Sequence, residues 1–147
     1  MAACGAIMLG CAAVVFDEAR ARLLLTRRAD NGQWCLPGGR VEAGETVVEA
    51  CLRELREETG VTGHVTRLCG VYSSPDFLVE YPSGDRVQVV ALCFEVEPDR
   101  RQIQMQPEEV VDWRWVTAQQ AEELDVVRLH LPRIRDAFAG GTSIHLR

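Results

Sequence analysis

Residues 39–61 read GRVEAGETVVEACLRELREETGV. Glu54, Glu57 and Glu58 lie three and four positions apart, a spacing that sets three carboxylates on one face of a helix. Like charges so placed repel each other, so a fold that keeps them needs a compensating cation. Crowded hard oxygen donors suit Mg²⁺, with Mn²⁺ as the alternative. Arg53 stands four residues before Glu57, within reach of that carboxylate on a helix, where it would aim it.

The same stretch carries the signals that bound a helix. Thr46-Val47-Val48-Glu49 fits a capping box with Thr46 at the N-cap. Gly60 falls where a left-handed residue closes a helix. Between them Val47, Val48, Cys51, Leu52 and Leu55 supply an apolar face opposite the acids. Upstream, Leu36-Pro37-Gly38-Gly39 cannot be helical, and its two glycines let backbone come close to a ligand or metal. The expectation is a glycine loop feeding a helix with an acidic outer face.

The stretch resembles the Nudix box: Gly39, five residues, Glu45, seven residues, Arg53-Glu54-Leu55, one residue, Glu57-Glu58, one residue, Gly60-Val61. The likeness extends to residues 23–28, 31–34 and 36–39 before the box and to Trp113-Arg114-Trp115-Val116 after it. It implies an αβα sandwich, with a mixed β-sheet between helices, and metal-dependent hydrolysis of a nucleoside diphosphate linked to another moiety. It also implies metal ligation by Glu54, Glu57 and Glu58 and by the carbonyl of Gly38, with Glu45 orienting Arg53. Loss of box residues would mark a non-catalytic nucleotide-sensing module on the same fold; here none is lost.

The general base is open between a box glutamate and the acids Glu108, Glu109 and Asp112 before Trp113, with Glu109 the choice among these. For substrate contacts the candidates are Arg27 and Arg28, which strand alternation sends to opposite faces so that one at most reaches phosphate, together with Tyr72 and Arg86. Trp34, Tyr72 and Phe77 are candidates for stacking on a base. Pro75 lies at a distance resembling that of a proline in ADP-ribose-cleaving relatives. It inclines the reading toward ADP-ribose or a nucleotide sugar; the alternative is a nucleoside triphosphate.

The chain has 147 residues, 47% apolar and 26% charged, which suits one domain with a real core. A net charge of −6 offers no general attraction to duplex nucleic acid or to an anionic membrane. A nucleotide-type small molecule would have to be captured by local arginines and metal. None of the six cysteines forms a CxxC pair, so free buried thiols are expected. The uncharged first sixteen residues lack a basic n-region and are too short to span a bilayer, so a cytoplasmic location is expected. A homodimer is compatible with the sequence.

Elsewhere, residues 6–16 read as a strand, residues 17–20 as a turn, and residues 22–28 as a strand pairing back on the first. Strands are expected over 64–72, 86–97 and 112–116, a turn over 81–85 and a surface loop over 98–107. Thr117-Ala118-Gln119-Gln120 is a second capping box, opening a helix toward Leu124. A last helix is expected over 131–139, with Pro132 in its first turn and Gly140-Gly141 ending it.

Overall fold

The computed structural model describes residues 5–105 and 108–147. Strand β1 (Ala6–Val14) is an inner strand of a mixed sheet. It pairs antiparallel with the short β4 (Gly38–Arg40) and parallel with the long β7 (Arg86–Pro98). On its other edge β7 carries β5 (Gly63–Tyr72) and, at its start, β6 (Leu78–Glu80), both antiparallel. Strand β9 (His145–Leu146) adds to β5 in parallel. A second, antiparallel sheet holds β2 (Leu23–Arg28) between β3 (Trp34–Cys35) and β8 (Val110–Val116).

The core forms two layers because the buried strands are apolar on both faces. Along β1 and its continuation, Cys11, Ala13 and Val15 pack with Ala50, Cys51 and Leu55 of helix α1 (Val47–Thr59). Ala12, Val14 and Phe16 face the opposite way, toward Ala121 of α2 (Ala118–Glu123) and Ile134 and Ala137 of α3 (Leu131–Ala139). The result is the expected αβα arrangement. No helix among the described residues is long and apolar enough to cross a membrane.

Local signals bound the helices as expected. Thr46 and Glu49 exchange both capping-box hydrogen bonds at 3.1 Å, and Gly60 (φ 72°) closes α1 with its N–H on the Arg56 carbonyl at 2.8 Å. Thr117 and Gln120 repeat the box at α2.

Two expectations about the strands fail. Residues 22–28 pair back on the first strand only at the turn, where Phe16 bridges Leu23 and the Leu24 N–H donates to the Val15 carbonyl. Beyond that the strands part, since β4 and β7 occupy both edges of β1 and β2 has no free edge to join. The glycine stretch likewise is not a free loop: Gly38–Arg40 forms the edge strand β4. A Cβ on Gly38 would land on the Cys11 carbonyl oxygen, so this pairing demands glycine there.

Five of the six cysteines are described, and all five are free and buried; Cys4 lies outside the described residues.

Candidate active site

Helix α1 turns Ala50, Cys51 and Leu55 into the core and leaves Arg53 and Glu57 on its outer side. Arg53 is the hub of the acidic face. Its Nε and Nη2 donate to the two carboxylate oxygens of Glu45 at 2.6 and 2.9 Å. Its Nη1 donates to Glu54 at 3.0 Å and Glu57 at 3.2 Å, and Nη2 also reaches the Arg40 carbonyl at 3.1 Å. The forked guanidinium makes such a set of directed bonds possible; a lysine has no equivalent geometry. These bonds and that to the Glu42 N–H hold the Glu45 carboxyl well down, at about 2.

One carboxylate oxygen each of Glu54, Glu57 and Glu109 lie within 4.8 Å of one another. Glu54 is brought there by close packing: a Cβ on Gly39 would come within 2.6 Å of its carboxylate. Glu58 stands apart from the trio, nearly buried, with its Oε2 accepting from the Gly38 N–H at 3.3 Å. Burial, then the charges of Glu54 and Glu109, push its pKa up to about 8 against the pull of the Gly38 N–H and Arg28. Burial also raises Glu54, against its bonds to Arg53. A hard divalent cation fits this donor set: all the ligand atoms are oxygens, and the repulsion between them is what a cation would relieve.

Glu54, Glu58 and Glu109 line a cleft of about 610 Å³, together with Arg28, His130 and Arg133, while Glu57 stands on the exposed side of α1. A cavity of about 650 Å³ beside Gly60, Thr62 and Asp99 holds no comparable cluster of acids among the described residues. The cleft adjoins a smaller pocket of about 300 Å³, the two sharing Val89, Leu129 and Arg133.

The other candidates divide. Arg28 reaches the cleft, held by Asp30 at 2.6 and 2.9 Å, whereas Arg27 turns back onto the Gly32 carbonyl at 2.8 Å. Glu108 joins Glu109 in the cleft wall, but Asp112 accepts from the Trp113 N–H and sits opposite Arg27 in the sheet. Tyr72 is buried beneath α3, donating its hydroxyl to Asp136 at 2.8 Å, and lines only the smaller pocket, as does Phe77. Trp34 is core, packed under Arg114. Arg86 begins β7 with its guanidinium 4.0 Å from Glu80 and does not line the cleft.

His130 and Arg133 had no place in the sequence reading of the site. The Leu36 N–H donates to His130 Nδ1 at 3.1 Å, and Arg133 is buried in the first turn of α3. The available signal was an arginine next to Ile134 and one turn before Ala137, on a stripe the core claims.

Comparison with known proteins agrees with the fold and the box. The NUDIX domain profile matches residues 7–137. An ADP-ribose pyrophosphatase of Methanocaldococcus jannaschii is 49% identical over 72 residues, covering 47% of this chain and 41% of that protein, so the chain spans less than half of that relative's length. Nucleoside triphosphatase NudI of Escherichia coli is 32% identical over 111 residues, covering 70% of this chain and 78% of that one. Among solved structures, a MutT protein from Methanosarcina mazei superposes with a TM-score of 0.72 at 22% identity, covering 90% and 93% of the two chains, a likeness of fold. With the profile spanning nearly the whole chain and every box position filled, this chain belongs to the NUDIX domain family.

Proposed function

We propose that this domain hydrolyses the pyrophosphate bond of a nucleoside diphosphate linked to a sugar or similar group, the class to which ADP-ribose belongs. The observation that carries the reading is the convergence of Glu54, Glu57 and Glu109, the first two held by Arg53. Glu54, Glu57 and Glu109, with Glu58 and the Gly38 carbonyl close at hand, would hold Mg²⁺ or Mn²⁺. When bound, the metal would neutralise phosphate charge and acidify water. Arg53 aims Glu54 and Glu57, and Glu45 fixes Arg53. Glu109, beside the trio, is the residue suited to take a proton from the attacking water; Glu58, which burial keeps protonated near neutral pH, could do so only after a bound cation had displaced its proton. Arg28 supplies a positive charge on the cleft wall for phosphate.

The joined cleft and smaller pocket support a substrate with a group on each side of the pyrophosphate. A triphosphate is the second reading, supported by the likeness to a nucleoside triphosphatase. The test is kcat/KM with Mg²⁺ across nucleotide sugars, ADP-ribose and nucleoside triphosphates. A triphosphate favoured by more than about tenfold, roughly 1.4 kcal/mol, selects the second reading. Absence of chelator-sensitive hydrolysis on every substrate would leave the nucleotide-sensing alternative.

A further inference from the structure

The inner wall of the cleft carries a cation that the acidic face does not account for. Arg133 is 4% exposed, and among the described residues no carboxylate lies within ion-pairing distance of it. Its Nε has no hydrogen-bond partner, and its guanidinium lies over the Tyr72 ring at 5.6 Å. A buried charge without a counter-charge costs stability. An exposed position on the same helix, such as that of Arg135, would avoid that cost, yet Arg133 lines both cavities.

Its neighbour sharpens the chemistry. The backbone N–H of Leu36 can only donate, so His130 Nδ1 is the acceptor. Burial and the charges of Arg133 and Arg28 hold this imidazole neutral, well below its ordinary pKa. The ring proton is therefore on Nε2. Arg133 Nη1 lies 3.4 Å from that nitrogen. Both atoms are donors, side by side, and the apolar Val89 and Leu129 line the same cleft.

We propose that Arg133 and His130 read the base of the nucleotide, taking an edge with two neighbouring acceptors. Guanine presents such an edge in O6 and N7; adenine sets a donor amino group beside N7, which would meet a donor. The apolar flanks suit a flat ring rather than a phosphate. Arg28, not Arg133, is the cation acting chiefly on Glu58, so the pyrophosphate end of the cleft is served by a different arginine. This assignment rests on the nucleotide reading above and turns the nucleotide-sugar preference from ADP-linked toward GDP-linked substrates.

The test separates the two readings by leaving out metal and turnover. Binding of GMP, AMP and inorganic phosphate is measured by calorimetry in EDTA, on the wild type and on Arg133→Met, whose fold is checked by thermal melting. The wild type should bind GMP about tenfold or more tighter than AMP, and the variant should lose that preference while keeping its phosphate affinity. Equal binding of GMP and AMP by the wild type, or no measurable GMP binding, overturns the proposal whether or not the variant folds. So does a variant that keeps the preference, or one that weakens all three ligands alike. Parallel assays of GDP-glucose and ADP-glucose with Mg²⁺ test the hydrolase reading alone; no hydrolysis of either would sink that reading without altering the binding comparison.

Discussion

Glu58 makes stability depend on pH in a direction opposite to that of most carboxylates. Its pKa stands at about 8 in the fold, against an ordinary 4.5, because burial disfavours the charge and Glu54 and Glu109 add to the cost. The folded state therefore keeps a proton that the unfolded chain releases. The penalty is absent below pH 4.5, grows between 4.5 and about 8, and is complete above that. At 1.36 kcal/mol per pH unit the displacement amounts to about 5 kcal/mol, and water entering the cleft reduces it, so about 2–5 kcal/mol is expected. Glu58→Gln keeps an acceptor for the Gly38 N–H and removes the charge. In urea titrations with EDTA, the variant should match the wild type near pH 4.5, exceed it increasingly up to about pH 8 and hold that margin above. Taking the difference between the two proteins cancels the other titrating groups. Saturating Mg²⁺ should stabilise the wild type more than the variant at high pH. A wild-type-to-variant gap that stays flat from pH 5 to 9 would refute the reasoning.

Glu57→Gln should lower turnover by roughly two to four orders of magnitude with the melting temperature kept; near-normal kcat would remove Glu57 from the site. Gly39→Ala should push the Glu54 carboxylate from its place and cost on the order of a hundredfold in kcat/KM, and full activity would show that the close contact is not needed. Asp136→Asn should cost about 2–3 kcal/mol in urea titration at pH 7, because this buried carboxylate accepts from Tyr72 and Arg147. Its pKa is held below 3.8 by Arg147 and then Tyr72, so the contribution persists above 3.8 and fades as pH falls through the lower folded value; a gap unchanged down to pH 2 would count against it. All six cysteines should react with a thiol reagent after denaturation without reductant, and fewer than five free thiols would reveal a disulfide.

What could be read from the sequence was what local chemistry decides. Helix α1 runs between its capping box and Gly60 because those contacts span only a few residues. The Arg53 hub was legible for the same reason: Glu54 and Glu57 are its neighbours on one helix, and Glu45 lies just before it. The partners of β1 were not legible. A strand buried on both faces carries the same apolar run whichever edge it joins, so nothing local distinguishes β7 from β2. Tyr72 illustrates the limit at the site, since an aromatic at a strand end serves a base or a core equally well. Asp136, sixty-four positions later, decides for the core. Arg133 was hidden for the converse reason: on a helix a cation is expected to face water, and only the packing of α3 buries it.

The parallel pairing of β1 with β7 also fixes an order of events during synthesis. Ala6 meets Val87, and the register runs on to Val14 and Glu95, so the partner of β1 emerges about eighty residues after it. At translation rates of about 5–20 residues per second, β1 waits roughly 4–16 s for its parallel edge. During that time α1 and β4 have already been made, but the strand on which both pack has only one of its two neighbours. The nascent chain thus holds every residue of the box before it holds the sheet that keeps the box in shape. Synonymous changes that slow translation before residue 87 would lengthen the exposure of that apolar strand and raise aggregation, while changes after β7 would not.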